Sequence, residues 1–113
     1  MTTVRLEDLC SVLRSKNAGP FLVTLDIMFR DGRIYEVVKE KDLITKNLIA
    51  YMYGISSSDV VVLEHIDNLN AVKATIRRRL PSGSPGDADC YGMNQEGPLL
   101  YIRFPGEVFQ GLA

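Results

Sequence analysis

From residue 21 the chain alternates. Phe21, Val23, Leu25, Ile27 and Phe29 form an apolar set, and Leu22, Thr24, Asp26 and Met28 form a mixed one. Successive strand side chains point to opposite faces, so 21–29 predicts a half-buried strand. Asp31-Gly32 after it is a turn signal. Upstream, Leu6, Leu9, Cys10 and Leu13 recur at three and four, which predicts a helix over 5–15. Gly19-Pro20 stops that helix, because proline disfavours a helical conformation at the residue before it. Residues 33–54 predict helix in two pieces, with Ile34, Val37 and Val38 on one stripe and Leu48, Ile49, Met52 and Tyr53 on another. Thr45 can cap the second piece through its hydroxyl, and Gly54 suits the left-handed position that ends it. The β-rich run 59–67, the turn Asn68-Leu69-Asn70 and the alternating run 71–79 predict a hairpin. A loop at 80–98, a closing strand at 99–104 and a weakly ordered tail at 105–113 complete the chain.

This order predicts an α+β fold: a mostly antiparallel sheet of about four strands with helices on one face. The strand–helix–strand–strand core points to a ferredoxin-like two-layer sandwich. In such a sandwich a second helix links the last two strands, and here the glycine- and proline-rich loop 80–98 stands in its place. The sequence contains no internal repeat. It reads as a single domain over 1–113, with a core at about 4–104.

Composition narrows the function classes. A chain of 113 residues can bury roughly two thirds of its surface, enough for one core without disulfide or metal staples. With 46% hydrophobic and 24% charged residues it is not a disordered chain. No apolar run approaches the ~18 residues of a membrane span. The start, MTTVRLEDLC, carries acids early and lacks the apolar stretch of a signal peptide, so a cytoplasmic protein is expected. The net charge of −1 argues against a global grip on nucleic acid. Cys10 and Cys90 are far apart in sequence and neither belongs to a C-x-x-C pair, so no zinc or thioredoxin-like site is expected. Cys10 reads as a buried structural thiol and Cys90 as a loop thiol with no histidine near it. The sole histidine, His65, lies in an apolar run that suits one face of a strand better than a catalytic base. No metal or cofactor is expected.

Candidate chemistry concentrates in two polar, glycine-bearing segments. The first is the loop PSGSPGDADCYGMNQEGP, long enough to suggest a functional segment. It carries hydroxyls at Ser82, Ser84 and Tyr91, carboxylates at Asp87 and Asp89, and amides at Asn94 and Gln95. Gly83 and Gly86 would let backbone N–H groups converge on an anion. Arg77, Arg78 and Arg79 precede it. Guanidinium forks beside such a loop suit carboxylate or phosphate, and equally suit a solvated edge strand protected from aggregation. The second segment is Arg14-Ser15-Lys16-Asn17-Ala18-Gly19-Pro20. Its cations would complement a helix C-terminus, or Arg14, Lys16 and Asn17 would present donors to an anion beside the first segment. No Walker A or G-x-G-x-x-G pattern is present.

RSKNAGPF at 14–21, MYGI at 52–55, SGSPGDADCYG at 82–92 and GPLL at 97–100 together resemble the DUF4387 family, from Leu6 to about Ile102. That family is similar to the small ferredoxin-fold domain associated with AtuA-like proteins, where an R-S-G-D-K-G-type segment stands in place of Arg14–Gly19. The resemblance implies a large AtuA-like (DUF1446) partner and a two-component enzyme acting on a small carboxylic acid or acyl thioester as a lyase, hydratase or isomerase. Arg14, Ser15, Lys16, Asn17, Arg78, Ser82, Ser84, Asp89, Tyr91 and Gln95 would then bind substrate, and Asp87, Glu96 or a residue of the partner would move protons. Relatives are expected to carry a segment similar to Q-Q-H-A-P-L-L, so Glu96 stands where a histidine is expected. The other expectations are a non-catalytic interaction or assembly module, and a stand-alone small-anion-binding protein or homo-oligomer.

Overall fold

The computed structural model describes residues 2–77 and 97–111. The chain runs β1 (Thr3–Arg5), α1 (Leu6–Leu9), β2 (Cys10–Asn17), β3 (Leu22–Phe29), α2 (Gly32–Glu40), α3 (Lys46–Tyr53), β4 (Val60–Ile66), β5 (Ala71–Arg77) and β6 (Arg103–Pro105), with short 3₁₀ turns between and after them. Four strands form one antiparallel sheet in the order β2-β3-β5-β4. β1 and β6 form a separate two-stranded ribbon. The fold is therefore α+β, as expected, and among the described residues the four-stranded antiparallel sheet is covered by helices on one face.

The alternation in β3 sets that architecture. Val23, Leu25, Ile27 and Phe29 are buried and face the helices. Phe21, read in the sequence as the first member of this set, lies just outside β3 and is 55% exposed. From the neighbouring strand β5, Val72, Ala74 and Ile76 join the same core. Ile34, Tyr35 and Val38 of α2 and Ile49 and Ala50 of α3 close it from above. The second helix keeps its expected ends, and Asp31, read in the sequence as a turn residue, caps the first. Asp31 caps α2 by accepting from the Arg33 N–H at 2.7 Å, and Thr45 Oγ1 accepts from the Leu48 N–H at 3.1 Å. Gly54 ends α3 at φ 65°, a left-handed conformation that glycine adopts without steric cost. β4 returns parallel to β3, with β5 between them and antiparallel to both. This is a split β-α-β unit.

The helix predicted at 5–15 is corrected. Only Leu6–Leu9 are helical, and Cys10 turns to φ −110°, ψ 145° and begins β2. Leu6 and Leu9 are fully buried, so the helical spacing was real over its first turn. Beyond it, Cys10, Ser11, Val12, Ser15 and Asn17 are poor helix formers. Pairing decides the rest, because β3 would otherwise leave one edge of backbone donors and acceptors without partners. β2 meets β3 from Cys10↔Phe29 to Asn17↔Val23, with a register shift between Cys10 and Val12 that absorbs the change from helix to strand.

Two further expectations change at the C-terminus. The closing strand predicted at 99–104 is a 3₁₀ turn over Gly97–Tyr101 followed by the short β6, which pairs with β1 outside the main sheet. The tail is folded through its first turn: Phe109 is buried and meets Phe104 edge-on with ring centroids 6.0 Å apart. Phe109→Ala should destabilise the protein by about 3 kcal/mol, the usual cost of truncating a buried phenylalanine. A denaturant titration showing under ~0.5 kcal/mol, the range of an ordinary surface change, would return the segment to a loose tail.

Candidate functional site

The second polar segment lies on β2, an edge strand of the sheet. Strand alternation divides it between two faces. Arg14 and Lys16 are exposed on the uncovered face, and Ser15 and Asn17 are half-buried on the helix side. Arg14, Lys16 and Asn17 therefore do not form one donor cluster, as the sequence alone suggested. Asn17 ends β2 opposite Val23, at the tip of the β2–β3 hairpin. There the Ala18 N–H donates to the Leu22 carbonyl at 3.0 Å, and Gly19 takes φ 117°, open to glycine without strain.

The first segment begins at the same end of the sheet. Arg77 closes β5 opposite Leu22, the first residue of β3. Its guanidinium is held by Asp59 at 3.2 Å, which fixes it to the start of β4. Arg78, Ser82, Ser84, Asp87, Asp89, Tyr91, Gln95 and Glu96, together with Arg79, Cys90 and Asn94, lie outside the described residues. The described chain resumes at Gly97, in a turn that packs against α1 and α3 through the buried Leu99.

On the uncovered face, registry creates a pattern that no local stretch of sequence contains. Arg14 sits opposite Asp26, Asp26 opposite Lys73, and Lys73 opposite Glu64. The signs alternate across all four strands, and each cross-strand neighbour is of opposite charge. Arg14 Nε donates to Asp26 Oδ2 at 2.9 Å, with the Asp26 side chain only 14% exposed. Beside this row, Arg14, Lys16, Asp26, Met28, Leu69 and Lys73 line a shallow depression of about 180 Å³. That is smaller than the ~300 Å³ at which ligand pockets begin, and Asp26 offsets part of its positive charge. It is better suited to a protein side chain than to a substrate. Asp26 was visible in the sequence as the polar member of an alternating strand. Lys73 and Glu64 could not be matched to it without the strand order.

A second polar group, also missed in the sequence, lies at the opposite end of the sheet. Tyr35 is fully buried, and its hydroxyl donates to Asp67 Oδ1 at 2.5 Å. Lys39 Nζ reaches both oxygens of the same carboxylate, at 2.9 and 3.0 Å. This ties α2 to the turn between β4 and β5. The hydrogen bond from Tyr35, with that from Lys39, holds the Asp67 carboxyl below the usual carboxylate range. Burial, reinforced by Asp67, pushes the Tyr35 phenol up. His65 stands behind them on the covered side, its ring 6.3 Å from that of Tyr35 and its Nε2 buried with no partner among the described residues. Half-buried at the rim of the core, Cys10 has its thiol pushed up to about 12 by burial, so it is held as an inert thiol. Among the described residues no group of three His, Cys, Asp or Glu side chains is placed to hold a metal ion.

The tyrosine–aspartate–lysine link sets a pH window for stability. Asp67 has a lower pKa folded than unfolded, so its contribution is complete above the ordinary value of 3.8 and is lost as pH falls below it. Tyr35 has a higher pKa folded, so its contribution is complete below 10.0 and is lost above it. Thermal melting across pH should show both limbs. Tyr35→Phe should abolish the alkaline limb and flatten the acid one, and an unchanged profile would show that the link carries no stability.

Residues 6–103 match the profile of the family described as "Domain of unknown function (DUF4387)". No curated protein and no solved structure matches the chain. The match covers most of the chain, which therefore belongs to the DUF4387 family.

Proposed function

We propose, from this family membership and the layout of the sheet, that the protein is the small subunit of a two-component enzyme with an AtuA-like (DUF1446) large subunit. Its substrate is a small carboxylic acid or acyl thioester, and the reaction is a lyase, hydratase or isomerase step. The observation that carries this reading is the shared end of the sheet. The hairpin tip with Lys16, Asn17 and Gly19 lies beside Arg77, from which the segment with Arg78, Ser82, Ser84, Asp87 and Asp89 departs. Two polar segments separated in sequence thus start from one place.

In this reading Lys16 and Arg78 hold the substrate anion, and Ser82, Ser84, Asp89, Tyr91 and Gln95 complete its binding. Asp87 or Glu96 moves the proton. Lys16 has no hydrogen-bond or ion-pair partner among the described residues, so its ammonium is available to a ligand. Arg14 plays a smaller part, because Asp26 already engages its guanidinium. Asn17 approaches from the covered side of the same tip. The fold reading extends in the same way: we take the sheet as a ferredoxin-like sandwich whose edge beside β3 is filled by the N-terminal β2. Its support is the split β-α-β unit of β3, α2, α3, β4 and β5. A cytoplasmic location is part of the proposal, and no helix among the described residues is long and apolar enough to cross a membrane.

The test is reconstitution with an AtuA-like (DUF1446) protein. The two should co-elute, and activity on small carboxylates or their thioesters should need both. Lys16→Met should raise KM about tenfold, the worth of one charge-assisted hydrogen bond. Asp87→Asn with Asp89→Asn should lower turnover and leave assembly intact. Loss of assembly in that variant would favour an interaction module, and full activity of the isolated chain would remove the partner from the mechanism.

A further inference from the structure

The face of the four-stranded sheet that the described helices leave uncovered has a charge pattern that is complementary to itself, with the small side chains of Thr24 and Ala71 forming its buried floor. Its central row reads Arg14, Asp26, Lys73, Glu64 from the β2 edge to the β4 edge, plus, minus, plus, minus. The row on one side reads Val12, Met28, Ala71, Ile66. The row on the other reads Lys16, Thr24, Thr75, Val62. We propose that this face docks onto the same face of a second copy of the chain, about a two-fold axis running parallel to the strands between β3 and β5.

The axis follows from the pattern. A dyad along the strands in the plane of contact lays β2 over the partner's β4 and β3 over the partner's β5, with each row kept at its own level. Arg14 then faces the partner's Glu64, and Asp26 faces the partner's Lys73. All four charges of each copy meet their opposites. The adjacent row brings Val12 against the partner's Ile66 and Met28 against the partner's Ala71, apolar on apolar. The third row places Thr24, already buried in the single chain, against the partner's Thr75, and at its ends sets Lys16 beside the partner's Val62, where only the lysine's aliphatic stem can pack. A dyad across the strands, centred on the same row, would instead set Arg14 on Arg14 and Asp26 on Asp26, like on like. Facing sheets cross at about −30° because each is twisted. The pairs nearest the axis, Asp26 with Lys73, are the least displaced by that angle.

Size and edge chemistry agree with this arrangement. Four strands spaced ~4.8 Å apart and about six residues long at ~3.4 Å each give a face of roughly 19 by 20 Å. Two such faces would together remove roughly 800 Å² from water, the scale of a weak, transient interface, so a dimer that forms only toward the upper end of the concentration range below is expected. The competing route, edge-to-edge pairing of β4, meets an obstacle. β4 exposes Val61 and Val62, but its register shifts between Val60 and Val62, a bulge that spoils an edge for pairing. The proposed dyad also leaves both hairpin tips at one end of the dimer. The inference does not depend on the enzymatic reading above, and its test involves no second protein.

Sedimentation equilibrium on the full chain, from low micromolar to several hundred micromolar, reads it directly. The wild type should show a monomer–dimer equilibrium that weakens as salt rises. Arg14→Glu and Glu64→Lys should each weaken the homodimer about tenfold or more, because each sets like charges across the interface twice. An equimolar mixture of the two variants should recover the dimer. In the mixed dimer the two substituted side chains face each other as acid and base, and the other Arg14–Glu64 contact is native. Circular dichroism should show both variants folded; if Arg14→Glu is not, Glu64→Lys alone still decides. Val61→Arg, on the β4 edge, should leave the dimer unchanged. A wild type that stays monomeric overturns the proposal. So does a dimer indifferent to Glu64→Lys, a mixture without recovery when both variants are folded, or a dimer lost in Val61→Arg.

Discussion

The structure depends on burying one face of β3. Val23, Leu25, Ile27 and Phe29 are almost completely removed from water. Because strand side chains alternate, that burial fixes Thr24, Asp26 and Met28 on the opposite face. It also demands a partner strand on each side, since the backbone of a central strand cannot be left unsatisfied. β5 satisfies one side by the hairpin with β4, and β2 satisfies the other. The helices α2 and α3 then have a single place to go, above the apolar face. A shift of one residue in β3 would exchange its faces, bury Asp26 and expose the core, so the register is strongly held.

That constraint also organises the polar chemistry. With β3 in this register, Asp26 lies between Arg14 and Lys73, and the sheet presents alternating charge rather than a basic patch. The near-zero net charge of the chain is therefore reproduced locally on its open face. Lys16, which has no ion pair among the described residues, lies at the end of the sheet where the β2–β3 hairpin turns and β5 finishes. We assign the proposed substrate site to that end and the proposed self-association to the face. The two readings meet only at Lys16, which lies at the rim of the face where it reaches the hairpin tip.

Much of the interior was legible in the sequence. The alternation of 21–29, the two-piece helix with Thr45 and Gly54 at its ends, and the hairpin after Asp59 each carry a local signal, and local signals survive folding when tertiary packing agrees with them. β2 was not legible. Its leucines and Cys10 fit helical spacing, and only the open edge of β3 decides that Cys10–Asn17 extend. The same non-local cause hid the charge row, whose members come from four strands. It also hid the tyrosine–aspartate–lysine link, which joins Tyr35 and Lys39 on one helix turn to a carboxylate beyond β4. At the C-terminus, Phe109 follows a glycine and a proline that read as a tail, and nothing near it in sequence announces Phe104 as its partner. In the candidate site, the two polar segments were visible as compositions. That they start from one end of the sheet was not, because it follows from pairing Leu22 with Arg77.

The functional proposal rests most heavily on that shared end as the place where a second protein completes the site. Backbone amide shifts of the isotope-labelled chain, recorded during titration with the AtuA-like protein, read out that contact residue by residue. Perturbations should concentrate at residues 16–22, at Arg77 and in the segment that follows it, with the exposed face of α2 unaffected. Perturbations centred on α2, or none at saturating partner, would rule that end out as the docking site.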